Sequence, residues 1–355
     1  MDRILRILFI AALLLVSVVV NVDQALGEEK YVLTIQSALD RAYAYSPLMK
    51  TSEFEVEKSE RIRSDAVDFV RGIPMTGFIS GTTLVGDAYT GYLQADMGWQ
   101  IAKDALEKKK NSITVDVYAK YYTVLRAESQ IDVAKKDLER DTCIFKIAEL
   151  QRRLGMRTEL DLRNVQAQKE QSMVALADAE KQAEMARNDL YILLGLPNGD
   201  TYVLDQPTWT TIDLAPLDTE VSRALAFSHD VYSADMAANI ANQIKYWAKN
   251  WTIGQIDADI SLQNKELIKN SVKAAVNSLY WNLKDLPERR AALELAIQNA
   301  HQALDLTRLK YENGLATRTE VIQAEAVLKN LENQFVALKC QNEICVAQFK
   351  ALTGR

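Results

Sequence analysis

The sequence predicts a mainly α-helical protein made of two copies of a long antiparallel coiled-coil helical hairpin, with at most one short β-hairpin. Its 355 residues include only six prolines and thirteen glycines, the two residues that cost most inside a helix. Apolar residues recur with heptad spacing over long stretches, as they do where helices pack lengthwise. One segment also occurs twice, as LGMRTELDLRNVQA at 154–167 and as NGLATRTEVIQAEA at 313–326. These observations indicate long helices laid out on a duplicated plan.

The first 27 residues have the pattern of a signal peptide. Arg3 and Arg6 precede an apolar run at 7–20, and a small-x-small triplet that ends at Gly27 is a plausible cleavage site. An uncleaved membrane anchor is the alternative, although the run is shorter than the roughly 20 residues that a spanning helix needs. We therefore expect an exported protein whose mature form begins at Glu28.

The repeated segment divides the chain into two similar halves. It aligns Gly155 with Gly314 and Thr158 with Thr317 at one constant offset, which holds to the end of the chain. On this basis the first repeat covers 28–200, a connector covers 201–218, and the second repeat covers 219–355.

Each repeat begins with a short helix, predicted at 35–45 in the first half and at 219–227 in the second. A long helix, a glycine turn and a second long helix that ends in Leu-x-Gly follow in each case. The first long helix would cover 112–153 and span about 60 Å at 1.5 Å per residue. A strand is predicted at 201–204 in the connector. Helices this long favour an elongated or oligomeric assembly.

The last helix carries a heptad seam whose positions step by three and four residues. They are Val321, Ala324, Leu328, Leu331, Phe335, Leu338, Asn342, Cys345, Phe349 and Leu352. The helix before it has a matching seam, formed by Val272, Val276, Leu279, Leu283, Leu286, Ile297, Ala300 and Leu304. Because Gly314 lies between the two seams, we expect these helices to pack against each other as an antiparallel pair.

The first half contains an insertion that the second half lacks. Upstream, Arg41 aligns with Arg223 at an offset of 182 positions, which is 23 more than the offset of 159 between the glycine turns. The extra segment at 73–98 is rich in glycine and threonine, and from Tyr89 onward apolar and polar residues alternate. Runs of about ten alternating residues are typical of membrane-crossing strands. We therefore predict a β-hairpin at 73–98 that contacts a membrane; a flexible glycine-rich loop is the alternative.

Composition and motifs argue against two other classes of protein. The net charge of −6 does not suit a nucleic-acid partner, which favours a basic face. The two histidines, His229 and His301, lack metal-ligand spacing, and no nucleotide-binding or catalytic motif is visible. We therefore expect no enzymatic activity, no metal and no cofactor. We interpret the three cysteines as small packing residues: Cys143, Cys340 and Cys345.

An aromatic cluster in the second repeat permits two interpretations. Tyr246, Trp247 and Trp251 lie within six residues of one another. Such a cluster is usually a packing contact inside a protein. Tryptophan and tyrosine are also enriched where a protein meets the membrane interface, so an interfacial belt is the other interpretation.

The repeated segments, each closed by Leu-x-Gly, resemble the repeated tip motif of the TolC family of outer-membrane efflux proteins. LTIQSALDRAYAYSPLMK at 33–50 resembles the usual mature N-terminus of that family. The resemblance covers essentially the whole mature chain. It implies a homotrimer that forms a helical tunnel through the periplasm, capped by a barrel in the outer membrane. It also implies two partners, a periplasmic adaptor (membrane fusion) protein and an inner-membrane pump, and the export of small molecules or proteins.

The same resemblance places the glycine turns at the periplasmic tip, where the adaptor docks and the tunnel entrance closes. The residues that match the tip are Gly155, Thr158, Asp161, Gly314, Thr317 and Arg318. In the family, an Arg–Asp contact between neighbouring helices helps to hold the entrance shut. Arg318 and Asp161 are the residues here that match it.

The sequence departs from the family at the start of the second long helix pair. Residues 250–260 are too few for the second pair of strands that family members have, so each chain would supply two strands in place of four. The alternative function is therefore a non-conducting structural or adaptor-binding protein of the cell envelope, derived from the same family. In a cell without an outer membrane, the protein would lie in the extracytoplasmic envelope.

Overall fold

The computed structural model describes residues 32–72, 82–197, 202–248 and 250–355. Eight helices make up most of this part: α1 (Ile35–Tyr45), α2 (Pro47–Arg71), α3 (Thr82–Arg153), α4 (Glu159–Leu194), α5 (Leu217–Phe227), α6 (His229–Ile244), α7 (Trp251–Glu312) and α8 (Arg318–Thr353). Two short strands, β1 (Val32–Leu33) and β2 (Val203–Leu204), pair in parallel. The predicted fold class, two long helical hairpins with almost no strand, is confirmed.

Local capping interactions set where several helices begin. Thr34 accepts the backbone N–H of Ser37 at the start of α1, with an N–O distance of 3.2 Å. Ser228 accepts the N–H of Val231 in the same way at the start of α6. At the start of α7, the side chain of Asn250 accepts backbone N–H groups of the first turn. These contacts satisfy donors that a helix leaves unpaired at its N-terminus, so short-range sequence decides these boundaries.

The four longest helices form one layer in the order α4, α3, α8, α7. α2 packs on the N-terminal part of α3, where Arg63 on α2 pairs with Asp96 on α3 at 2.5 Å. α6 packs on α7 in the equivalent way, and Lys265 on α7 pairs with Asp235 on α6 at 2.5 Å. In each repeat, the longest helix therefore packs against two successive shorter helices: α3 against α2 and α4, and α7 against α6 and α8. The contact between α3 and α8 joins the two repeats.

The predicted heptad seams form the core between α7 and α8. Val276 and Phe349 are fully buried there, among other seam residues. α8 also buries a second face against α3, where Cys340 lies in a cluster with Tyr121 and Tyr122. Cys340 and the seam residue Cys345 are buried and free, which confirms that these two cysteines serve as packing residues. α8 is buried on two faces because it lies between α3 and α7.

Side chains on the helices hold the connector in place. Tyr121 on α3 donates its hydroxyl to the carbonyl of Leu33 in β1 (2.7 Å) and accepts the N–H of Asp205 after β2 (2.8 Å). The buried carboxylate of Glu343 on α8 accepts the N–H and the hydroxyl of Thr210, at 2.6 and 2.9 Å. The strand predicted at 201–204 is confirmed for its last two residues, which form β2.

The predicted β-hairpin at 73–98 is wrong over residues 82–98, which form the first turns of α3. Residues 73–81 lie outside the described residues. Much of the insertion lengthens helices instead: α2 has 25 residues where α6 has 16, and α3 has 72 where α7 has 62. The first repeat therefore differs from the second by a longer helix pair.

The spacing of the apolar residues explains the error. Tyr89 and Leu93 are four residues apart, a separation that puts two side chains on the same face of a strand and on the same face of a helix. Packing against α2 favours the helix, because Arg63 on α2 lies 4.5 Å from the ring centroid of Trp99. Gly86 is tolerated in the helix because it lets the ring of Trp247 come close: a Cβ at this position would lie 3.3 Å from that ring.

The signal peptide or anchor predicted at 1–27 lies outside the described residues. Within the part of the chain that is described, no helix combines the length and the apolar character needed to cross a membrane.

Candidate functional site

The turn between α3 and α4 is a tight connection that is capped on both sides. Gly155 has a φ of 75°, and the next residue, Met156, donates its N–H to the carbonyl of Gln151 (2.8 Å). Thr158 then starts α4 with a capping box. Its hydroxyl oxygen accepts the N–H of Asp161 (3.2 Å), and the Asp161 carboxylate accepts the N–H of Thr158 (3.2 Å).

The turn between α7 and α8 repeats this geometry. Gly314 has a φ of 72°, and Leu315 donates its N–H to the carbonyl of Lys310 (2.7 Å). Thr317 caps α8 by accepting the N–H of Glu320 (3.3 Å). Four of the predicted tip residues therefore have matching roles: two glycines turn the chain, and two threonines start the next helix.

The two turns lie at the same end of the molecule but at different heights. The Sγ atom of Cys143 on α3 lies 4.0 Å from the Oγ1 atom of Thr319, at the start of α8. From Cys143, α3 continues to Arg153, which adds about 15 Å. The first turn therefore projects beyond the second by on the order of 10 Å.

The predicted pair of Arg318 and Asp161 is not formed within the chain. The hydroxyl and the N–H of Thr158 bind the Asp161 carboxylate and lower its pKa. Arg318 instead lines a groove of about 630 Å³ along α3, together with Lys135 and Lys146. None of these three cations has an ion-pair partner among the described residues. Glu139 also lines the groove but is paired with Lys136, so the three cations are the groups left to bind an acidic partner.

Both turns expose large apolar side chains. Leu154 and Met156 flank Gly155 and are 73% and 72% exposed, and Leu315 follows Gly314 and is 79% exposed. Leu160 in the first turn of α4 is also exposed. A group of exposed apolar residues at a projecting end is a candidate contact surface. These residues were not predicted from the sequence, although the apolar residue next to each turn glycine was the signal for them.

Ion pairs between helices hold the two hairpins in register near the tips. Glu325 on α8 binds Arg308 on α7 (2.7 Å) and Lys136 on α3 (3.3 Å), so one carboxylate joins three helices. The hydrogen bond from Arg308, followed by that from Lys136, lowers the pKa of Glu325. Lys329, one turn further along α8, reaches Asp132 on α3 at 3.2 Å. These contacts set the height of the second turn relative to α3.

Comparison with known proteins agrees with this architecture. A sequence model of the family described as outer membrane efflux protein matches residues 94–196 and 221–355. No curated protein matches the chain in sequence.

Several solved structures share its fold. The outer membrane protein VceC from Vibrio cholerae has a TM-score of 0.67 and 14% identity, with 90% of this chain and 96% of that chain covered. The outer-membrane channel OprN has a TM-score of 0.68 and 13% identity, with 90% of each chain covered. The CmeC outer membrane channel of Campylobacter jejuni has a TM-score of 0.65 and 13% identity, with 90% of this chain and 85% of that chain covered. Since the family match extends over more than half of the sequence, the chain belongs to the outer membrane efflux protein family.

Proposed function

We propose that three copies of this chain assemble into a helical tunnel. In this role the protein is the outer component of a tripartite efflux or type I secretion system, and it exports small molecules or proteins across the periplasm and the outer membrane. The observation that carries the proposal is the open layer of α4, α3, α8 and α7. Both helices at its edges, α4 and α7, present apolar side chains to solvent.

The edge helix α7 has a heptad seam with no partner in the described part of the chain. Ile253, Ile256, Ile260 and Leu267 step by three, four and seven residues, and each is more than half exposed. This is the spacing that packs one helix lengthwise on another. A helix from a second copy would bury the seam.

At the height of this seam, α2 forms the opposite edge of the layer. The seam lies beside α6, where Lys265 pairs with Asp235, and α6 in turn contacts the N-terminal part of α3 that α2 covers. The exposed apolar residues of α2 are Leu48, Phe54, Ile62 and Phe69. A contact between α7 of one copy and α2 of the next is heterologous, and contacts of this kind generate rings when the rotation closes. Such a ring would enclose a channel along the helix axes.

The two turns support docking of a periplasmic adaptor bound to an inner-membrane pump. They project from one end of the molecule and expose Leu154, Met156 and Leu315. Exposed apolar residues grouped in this way are typical of protein–protein docking surfaces. The unpaired cations at Arg318, Lys135 and Lys146 would add attraction for an acidic partner surface.

Single-channel recording tests the tunnel. Purified full-length protein, first shown to be trimeric, is added to planar lipid bilayers, and discrete conductance steps are expected. A folded trimer that conducts nothing would exclude the tunnel and leave the alternative, a non-conducting structural or adaptor-binding protein of the cell envelope.

The closed entrance is tested by the same recordings. If Arg318 pairs with Asp161 of the next copy, R318S and D161N should raise the leak current to a similar extent, because each removes one partner. The two residues lie at different heights, so the pair requires the hairpins to tilt. A leak raised by R318S alone would mean that another acid pairs with Arg318, and no change with either variant would rule out the lock.

A further inference from the structure

The end of the molecule opposite the tips carries an exposed aromatic surface. Here α2 ends, α3 begins, and α6 turns into α7. The ring of Trp247, in the turn between α6 and α7, lies 5.7 Å from the ring of Tyr89 on α3, measured between centroids. Tyr246, Trp247 and Trp251 are 70%, 47% and 58% exposed. We call these four residues the aromatic corner.

Packing accounts for only part of this cluster. Trp247 fills the space above Gly86 and contacts Tyr89, so it anchors the turn against α3. Tyr246 and Trp251 remain mostly in solvent, which is unusual for such large apolar side chains. They are not part of the α7 seam, because Trp251 precedes Ile253 by two residues and therefore points to the opposite side of the helix. The contact proposed between copies thus lies on the side of α7 opposite Trp251.

The charges around the corner suit a lipid headgroup region. Lys245 lies with its ammonium 5.1 Å from the ring centroid of Tyr246, and Lys249 follows in the sequence. Otherwise, residues 246–256 carry no charge; acidic residues begin at Asp257, and Asp87 is the nearest acid to Tyr89 along the chain. Aromatic residues flanked by lysines are the pattern found where proteins meet a membrane interface.

We propose that the aromatic corner is a lipid-contact surface, on which the helical body rests against the interface of a bilayer. Tyr246, Trp247 and Trp251 insert their rings at the level of the headgroups, and Lys245 binds lipid phosphate. The proposal goes beyond the export function and does not depend on it, because a chain that conducts nothing can still bind lipid here.

Quenching of tryptophan fluorescence by brominated lipid tests the proposal at the corner itself. The full-length chain is mixed with vesicles of phosphatidylethanolamine and phosphatidylglycerol, in equal amounts, whose acyl chains carry bromine. We expect part of the emission to be quenched in the wild type. W251F should remove about half of the quenched emission, because Trp247 and Trp251 share the corner. The measurement is local, so lipid binding by the apolar run at 7–20 does not affect it.

W281F is the matched control. Trp281 lies on the same helix and is 54% exposed, but it is 30 residues from Trp251, or about 45 Å along α7. This variant should leave the quenched emission unchanged. Equal losses with W251F and W281F, or no quenching in the wild type, would overturn the proposal. So would corner tryptophans that both bromine and aqueous acrylamide fail to reach, since that result would show that another protein surface covers them.

A second variant tests the contribution of the corner to binding. In a chain that begins at Glu28 and so lacks the apolar run at 7–20, Y246S/W251S changes two exposed side chains, and it should lower the partition onto the same vesicles by about tenfold. Circular dichroism and the melting temperature should match those of the wild type. Unchanged partition by this folded variant would also overturn the proposal.

Discussion

Among the described residues, four glycines adopt left-handed φ values between 61° and 75°, and they serve two different purposes. Gly155 and Gly314 turn the chain at the tips, where a Cβ would meet nothing within 4 Å. At the end of α4, a Cβ on Gly195 would lie 2.2 Å from the ring of Tyr45 in α1. Both the tip glycines and Gly195 need a positive φ, which favours glycine. Only at Gly195 does a neighbouring side chain also leave no room for a Cβ.

This difference predicts unequal effects of the same substitution. G155A should destabilise the protein by about 1 kcal/mol, the cost of a left-handed alanine. G195A should cost about 3 kcal/mol, because it adds a collision with Tyr45 to the same strain. Urea unfolding followed by circular dichroism measures both. Equal losses for the two variants would show that the packing against Tyr45 relaxes freely.

At the scale of single elements, the hairpin tips depend on their N-terminal caps. Thr158 and Asp161 cap each other in the first turn, whereas Thr317 in the second turn accepts the N–H of Glu320 and donates its hydroxyl to that side chain. The hydroxyl of Thr158 is the main cause of the lowered pKa of Asp161. The first cap is therefore linked to the protonation of one carboxylate.

The linkage predicts a pH-dependent tip. A carboxylate whose pKa is lowered by folding stabilises the fold fully above its unfolded value, near 3.9, and loses this effect as pH falls through the folded value. Protection of the Thr158 amide from hydrogen exchange, corrected for the intrinsic rate, should therefore fall in acid below about pH 4. D161N should weaken the protection at neutral pH and remove its pH dependence. An equally pH-dependent Thr158 amide in D161N would contradict this assignment.

At the scale of the whole molecule, the arrangement of the layer decides which surfaces stay open. α3 and α8 have neighbours on both sides, and α4 and α7 form the edges. α8 uses its apolar residues twice, against α7 and against α3, whereas α7 keeps Ile253, Ile256 and Ile260 exposed. The open edges of a single chain are therefore where the proposed contacts between copies would form.

Charged residues in the α7 seam should therefore prevent assembly. I256D/I260D places two carboxylates in the proposed contact between copies, where burial without partners is unfavourable. Analytical ultracentrifugation in detergent should show a monomer in place of a trimer. V327D is the control, since Val327 is 47% exposed but lies on α8, inside the layer. If I256D/I260D remains trimeric, the contact between copies does not involve the α7 seam.

The sequence was informative where structure depends on near neighbours. The short helix predicted at 35–45 has those bounds, as α1, and the glycine turns lie where the repeat put them. The seam of α8 was readable because heptad spacing is a property of one helix and needs no knowledge of its partner. The tip residues could be named for the same reason, since a cap involves residues three positions apart.

Sequence by itself thus determined the long helices, their duplication and their turns, because caps, turn glycines and apolar spacing act over a few residues. Tertiary structure decided the rest. It made 82–98 a helix, because a four-residue spacing fits both conformations and packing against α2 selects one. It also set Arg318 and Asp161 at different heights, because the register between α3 and α8 depends on contacts such as Lys136 with Glu325, which are 189 positions apart in the chain.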